Sequence, residues 1–552
     1  MEQKKIAPKR FSGILVHPTS FPSRYGIGDL GQTAYDFIDF MKKANQSIWQ
    51  CLPLGPTGYG NSPYQAYSAF AGQPLLISPD KLMELNLLSP ADVANIPEWN
   101  KDFVEYERIT VFKTMLLKKA YHNFQHVPNL ALRSEFNEFC KEQDFWLTDY
   151  ALFMALRDFQ NDKKWMEWED KYKHPTKAVR NKALKDLAPS VNYYRFVQFM
   201  FFRQWYELKK YANENGILIM GDIPIFVSPD SADAWANKDL FQLDSKGYPA
   251  VIAGVPPDYF SKTGQMWGNP LYAWEEHKKT GYAWWIARIR HQLTQTDLFR
   301  IDHFRGFEAY WSSPADAETA MEGHWVKGPA NDFFDHIMEV FDGELPIIAE
   351  DLGIITPEVE ALRDDYKLPG MKILQFAFND LDDGAYYPYN YVENCVCYTG
   401  THDNDTSVGW YLNASAASQD KARRYMSCDG RNIHWDMIRL AMGSVARYAI
   451  FPLQDVLGLD SNYRMNIPGT SQNNWAWRFK EGDIEEWMPS YLKDLSKLFW
   501  RNQVPELPEE DASEDIEKTV DDDIANADAD KTDTAAAVTK SDADKTKEVE
   551  HS

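Results

Sequence analysis

Acidic residues recur in this chain at the ends of short apolar runs, and two of them sit beside a histidine. The runs read Met220-Gly221-Asp222, Arg300-Ile301-Asp302-His303, Ile348-Ala349-Glu350-Asp351 and Thr399-Gly400-Thr401-His402-Asp403-Asn404-Asp405. The two-residue period of an extended chain puts Arg300 and Asp302 on one side, where guanidinium and carboxylate can pair. A single acid after a strand is more often a helix cap than a reacting group, and Asp351 and Asp405 read well as caps or supporting partners. Four acidic strand ends, with His303 and His402 beside two of the acids, point to chemistry instead. Phosphoryl transfer would want a glycine-rich loop carrying a lysine, which is absent. A transition metal would want a His-x-x-x-His or Glu-x-x-His pair to anchor it, and none is read at these ends. Glycoside cleavage asks for a protonated acid and a carboxylate flanking one bond, about 5 Å apart where configuration is retained. Neighbouring parallel strands supply that spacing, and Asp302 and Glu350 suit it.

The elements that must hold these acids read as a strand-then-helix rhythm. Eight short apolar runs, 13–17, 47–54, 216–222, 298–302, 346–350, 371–376, 395–399 and 448–452, each end in Gly, Pro or polar residues. Near-continuous apolarity is the mark of parallel strands covered on both faces. Amphipathic stretches lie between them: 34–43, apolar at Ala34, Phe37, Ile38 and Met41; 144–158; and the aromatic-rich 193–211. Eight such units predict a closed (β/α)₈ barrel, whose chemistry sits at the C-terminal ends of its strands. The uneven spacing predicts subdomains inserted in the βα loops, notably about 75–215 and 228–297. A doubly wound open sheet is the other reading. The glycines of Gly26-Ile27-Gly28-Asp29-Leu30-Gly31 lack the spacing of a dinucleotide-binding turn and follow Pro18 and Pro22, so no such site is expected.

Composition narrows the class. The chain has 552 residues and a formal charge of −24, and no basic run that could hold nucleic acid. Residues 509–552 contribute −11 of that charge, with 16 acids against 5 lysines and no aromatic residue. Such a segment buries too little apolar surface to offset its ordering entropy and is expected to be a disordered acidic tail of unknown partners. The catalytic body is then 11–500. Cys51, Cys140, Cys395, Cys397 and Cys428 are too few and scattered for a disulfide framework. With no signal sequence or membrane-spanning run read from the chain, a cytoplasmic location is expected.

Aromatic residues make up 14% of the chain, and their flat faces match those of pyranose rings. Two stand out in Gly/Pro-rich loops: Tyr59 in Gly58-Tyr59-Gly60-Asn61-Ser62-Pro63-Tyr64, and Trp267 in Gly264-Gln265-Met266-Trp267-Gly268-Asn269-Pro270. Further motifs are His17-Pro18-Thr19-Ser20, Ser68-Ala69-Phe70-Ala71-Gly72, Gly221-Asp222-Ile223-Pro224, Val255-Pro256-Pro257-Asp258-Tyr259-Phe260, and Asn466-Ile467-Pro468-Gly469-Thr470 with Asn473-Asn474-Trp475. Together with the strand-end acids, they closely resemble the 4-α-glucanotransferases of glycoside hydrolase family 77, over roughly 11 to 500.

The resemblance implies retaining transfer of α-1,4-glucan segments between maltooligosaccharides in a (β/α)₈ barrel with inserted subdomains, with no cofactor or metal. By motif match, Asp302 is the nucleophile, Glu350 the general acid and then base, and Asp403 the third carboxylate, which stabilises the transition state. Arg300, His303 and His402 resemble the family's binders of the sugar at the cleavage point. Asp222, Tyr59, Trp267 and Asn473 resemble its binding-loop positions. An α-glucan hydrolase of the amylase clan is the near alternative, and a glucan-binding protein without catalysis the distant one.

Overall fold

The computed structural model describes residues 9–502 except 127, 258–260, 344, 380–383 and 471; the side chain of Tyr59 is also outside it. The tail 509–552 and the Asp258-Tyr259-Phe260 motif therefore lie outside the described residues. The described residues form twelve strands: β1 Phe11–Leu15, β2 Ile48–Gln50, β3 Leu218–Pro224, β4 Val251–Val255, β5 Gln265–Pro270, β6 Leu298–Asp302, β7 Ala309–Pro314, β8 His324–Lys327, β9 Ile347–Ala349, β10 Gly370–Ile373, β11 Cys395–Tyr398 and β12 Tyr448–Pro452.

Eight of them, in the order β10-β11-β12-β1-β2-β3-β6-β9, form one parallel sheet. The backbone N–H of Ala349 donates to the carbonyl of Pro369 at 2.9 Å and brings β9 against the start of β10, closing the barrel. Each of the eight apolar runs overlaps one barrel strand, with β1 starting two residues before its run and β3 ending two residues after its own. Alternation sorts their side chains. Leu298 and Ile348 join the large core that includes the barrel interior, while Phe299, Ile301, Ile347 and Ala349 pack in the second core outside it. Arg300 and Asp302 share the inward parity of Leu298.

Two strands are shorter than the sequence suggests. The run 47–54 pairs only over Ile48–Gln50, because Pro53 has no N–H for a ladder. The run 371–376 leaves the sheet at Ile373 and turns into the short helix Leu374–Ala377. A buried apolar run of this length has no period that separates strand from helix.

Between β2 and β3 the chain makes a helical subdomain. Helices Tyr106–His126, Leu130–Glu142 and Asp144–Phe159 gather on the 27-residue helix Ala188–Glu214. The expected helices at 34–43, 144–158 and 193–211 fall within Gln32–Lys43, Asp144–Phe159 and Ala188–Glu214. A second structure was not foreseen in the sequence. Strands β4, β5, β7 and β8 form an antiparallel sheet of order β5-β4-β7-β8, drawn from the chain on both sides of β6. At the opposite end of the barrel, buried Arg501 donates to the carbonyls of Phe11, Met442 and Ala446 at 2.7, 2.7 and 2.9 Å, tying the end of helix Trp487–Leu498 under β1. All five cysteines are free thiols, with Cys51, Cys395 and Cys397 buried. Among the described residues no helix is long and apolar enough to cross a membrane.

Candidate active site

Strand register decides which side chains meet. Asp222 on β3 lies opposite Arg300 on β6, and Ile301 lies opposite Ala349 on β9. The next step along both strands sets Asp302 beside Glu350. Arg300 bridges the row: Nη1 donates to Asp222 Oδ2 at 2.5 Å, and Nη2 pairs with Asp302 Oδ1. The Asp222 and Arg300 side chains are 0% and 6% exposed, against 33% for Asp302. The first two are therefore the floor of the cleft, and Asp302 opens into it. Burial pushes the Asp222 carboxyl up to about 7, with Arg300 pulling the other way.

Glu350 is held differently. His303, directly after Asp302, takes the left-handed conformation (φ 55), rare for a residue with a side chain. That turn aims its backbone N–H at Glu350 Oε2, 2.8 Å away, while the N–H of Leu352 donates to Oε1 at 2.9 Å. Burial pushes the Glu350 carboxyl up to about 8; Arg300 opposes the rise and the Asp302 charge adds to it. The His303 ring meets Trp267 edge-on, centroids 4.8 Å apart, and burial lowers its pKa to about 3, so it is neutral.

Asp403 closes the cleft from β11. Asn404 Oδ1 accepts from the N–H of Thr401 at 2.8 Å and folds the chain back after the strand. Asp403 Oδ1 then accepts from Asn466 Nδ2 at 2.6 Å, and its carbonyl from Arg464 Nη2 at 2.8 Å. His402 Nε2 stands 3.4 Å from Asp403 Oδ2. The Asp403 side chain is 44% exposed and, like Asp302, available to a ligand.

Tyr64 joins the two halves. Its hydroxyl donates to Asp222 Oδ2 at 2.7 Å and lies 2.9 Å from His402 Nε2, while its ring stacks on the imidazole with centroids 5.3 Å apart. Because the hydroxyl proton goes to Asp222, His402 Nε2 is the donor to the tyrosine oxygen. Burial lowers the His402 pKa and raises that of Tyr64 well above its usual value, so both stay neutral. Trp475 packs against both rings at 5.7 and 5.8 Å.

Of the residues singled out in the sequence, the structure brings together Asp222, Arg300, Asp302, His303, Glu350, His402, Asp403 and, through His303, Trp267. Asn473 is exposed at φ 61 on the loop that carries Asn466 and Trp475, and no contact joins it to the carboxylates. Tyr59 lies in the turn Tyr59–Asn61, its side chain undescribed. Tyr64, Arg464 and Asn466 were missed, although Tyr64 and Asn466 stand in motifs already noted. Asp351 and Asp405 are supports: Asp351 accepts from the N–H of Met371 and pairs with Arg363, and Asp405 accepts from Ser461 Oγ. Among the described residues no cluster of three or more His, Cys, Asp or Glu could hold a metal. The sequence does contain one His-x-x-x-His pair, His122 and His126, adjacent on helix Tyr106–His126 and apart from the strand-end acids.

The family model of glycoside hydrolase family 77, described as 4-alpha-glucanotransferase, matches residues 16–484. The 4-alpha-glucanotransferase of Synechocystis sp. is 50% identical over 502 residues, 89% of this chain and 98% of that protein. That of Thermus thermophilus is 47% identical over 485 residues, 86% of this chain and 96% of that protein. The amylomaltase of Streptococcus agalactiae, solved in complex with acarbose, is 39% identical and superposes with a TM-score of 0.87 over 90% of this chain and all (100%) of that one. The amylomaltase of Corynebacterium glutamicum, 18% identical, shares the fold at a TM-score of 0.73 over 88% and 75% of the two chains.

Proposed function

From the premise that the chain belongs to the 4-alpha-glucanotransferase family and is such an enzyme, we propose that it passes segments of α-1,4-glucan between maltooligosaccharides through a covalent bond to Asp302. The observation that carries this reading is the unequal treatment of two neighbouring carboxyls. Asp302 receives the Arg300 guanidinium, whereas Glu350 receives two backbone N–H groups and is pushed up to about 8. The first suits a nucleophile, the second an acid that still holds its proton near neutrality. Adjacent strands lie about 4.8 Å apart, which matches the separation of about 5–5.5 Å that retaining cleavage uses.

In the first half-reaction the Asp302 carboxylate attacks the anomeric carbon of the donor as Glu350 protonates the departing glycosidic oxygen. The bond to the leaving chain breaks and an ester to Asp302 forms. Asp403, fixed by Asn466, faces the positive charge that develops on the sugar ring. Arg300 on the floor and His303 and His402 on the walls shape the space around that sugar, with Asp222 and Tyr64 holding Arg300 and His402 in place. In the second half-reaction Glu350, now ionised, takes the proton of an incoming sugar hydroxyl, whose oxygen displaces Asp302. A preference for a sugar acceptor over water requires the acceptor side to exclude water.

Incubation with maltotriose tests the proposal. Glucose together with a ladder of chains longer than the substrate is expected, and only shorter products would replace transfer with hydrolysis. Asp302→Ala is expected to lower turnover by several orders of magnitude with an unchanged circular dichroism spectrum, and near-normal turnover in that variant would remove the nucleophile assignment.

A further inference from the structure

The antiparallel sheet carries an aromatic surface that the chemistry above does not use. On β8, the outer edge of that sheet, Trp325 is 38% exposed and lies opposite Trp311 of β7. It is a held ring. The Arg305 guanidinium sits over it, 3.8 Å from its centroid, and Trp311 meets it at 75° with centroids 5.1 Å apart. Both supports are fixed in turn: Arg305 is 5% exposed and donates to the carbonyl of Ile354, while Trp311 Nε1 donates to the carbonyl of Ala320 at 2.8 Å. Two residues along the same face of β8, Lys327 pairs with Glu308, its side chain 77% exposed.

We propose that Trp325, with Lys327 and Glu308, forms an outer subsite for α-glucan, holding a part of the chain that lies beyond the reacting bond. The argument rests on the glucanotransferase reading above and on three features of the surface. A fixed indole face beside a charged hydrogen-bonding pair is matched to a neutral polyol, which offers an apolar ring face and a rim of hydroxyls. Because Arg305 and Trp311 already hold the ring, stacking on it loses little side-chain entropy. The platform also belongs to the catalytic rim. Arg305 is three residues past Asp302 and Ile354 four past Glu350, and at about 3.5 Å per residue both anchors lie within roughly 15 Å of the reacting acids. A chain threaded through the cleft reaches that distance within a few sugar units. Short oligosaccharides end before the platform and long ones cover it.

Two readouts test this. The ratio of kcat/KM for maltoheptaose to that for maltotriose is expected to fall about tenfold in Trp325→Ala and to recover in Trp325→Phe. Lys327→Ala, at a position whose side chain is 77% exposed, is expected to lower the same ratio about threefold. Retardation in a native gel cast with soluble amylose reads binding without turnover, and is expected to weaken in Trp325→Ala and Lys327→Ala. An unchanged ratio with unchanged retardation in Lys327→Ala and in any folded Trp325→Ala overturns the subsite. A change of oligomeric state in the variants at unchanged retardation assigns the β8 edge to a second copy of the chain, and overturns it too. Strong amylose retardation of the wild type without disproportionation of maltotriose overturns the transferase reading and leaves the subsite supported.

Discussion

Replacing Glu350 by Gln separates what this side chain does for the reaction from what it does to the fold. In the folded protein the carboxyl is pushed from 4.5 to about 8, mainly by burial. A carboxyl whose folded pKa is raised binds its proton more tightly in the folded state. The fold is therefore favoured where the proton is on, below about 4.5, and loses stability as the pH climbs towards about 8. The difference of about 3.5 sets a ceiling of ~5 kcal/mol at about 1.4 kcal/mol per pKa unit, and water entering the open cleft lowers this to ~2 kcal/mol. Glu350→Gln cannot ionise and escapes that loss. It keeps one of the two backbone hydrogen bonds and turns its amide nitrogen towards the other N–H, at a pH-independent cost of ~1 kcal/mol. An entropy of unfolding near 2 cal/mol/K per residue over the ordered body converts 1 kcal/mol to ~1 °C. Scanning calorimetry should then show the variant slightly less stable than wild type near pH 5 and slightly more stable near pH 9, a swing of ~2 °C. Turnover of maltotriose should fall ~10²–10⁴-fold, and the wild type's decline in kcat above about pH 8 should vanish. A glucosyl fluoride donor, whose leaving group needs no proton, should lose far less in its first step. A Tm difference that stays flat from pH 5 to 9, or an equal loss on the fluoride, would refute the assignment of Glu350 as a buried, protonated acid.

Arg300→Lys keeps the charge but presents it as a single point, which cannot reach Asp222 and Asp302 from two nitrogens as Arg300 does. Steady-state kinetics should show kcat/KM lower by ~10²-fold, and a variant within threefold of wild type would mean that the bridge does not set the Asp302 geometry. Tyr64→Phe deletes the hydroxyl shared by Asp222 and His402 but keeps the ring stacked on the imidazole. A ~10-fold fall in kcat with little change in Tm is expected, as for one lost buried hydrogen bond per partner; an unchanged kcat would show that His402 is placed by packing alone.

What could be read from the sequence divides along the reach of the interactions. The barrel was legible because each parallel strand is a short apolar run, and its acids were legible because they end those runs or, like Asp403, follow within a few residues. The pairing of Arg300 with Asp302 follows from the strand's own period. The antiparallel sheet was not legible: β5 is Gln265–Pro270, with Asn269 and two residues that do not favour strands, and β8 has four residues, mostly exposed. Neither carries a clear period. Tyr64 and Asn466 sit in visible motifs, yet their roles come from closure of the ring. Tyr64 meets His402 across 338 residues of sequence, and Asn466 meets Asp403 across 63, so no local spacing ties either to its partner.

The division of labour between the acids depends on those distant contacts as much as on the residues themselves. Asp302 and Glu350 end adjacent strands in the same register, and the strand period already offers Asp302 a guanidinium that Glu350 lacks. One guanidinium and one left-handed histidine break the symmetry. Arg300 reaches Asp302 along its own strand, while the turn at His303 gives Glu350 a backbone N–H in place of a counter-ion. A dipole of that kind stabilises a carboxylate less than a full charge does, so burial outweighs it at Glu350 and leaves the proton there. His303 thus does its part in the proposed chemistry through its backbone conformation as well as its ring, which is why its neighbour Asp302 and its partner Glu350, though both carboxyls, are suited to different roles in one reaction.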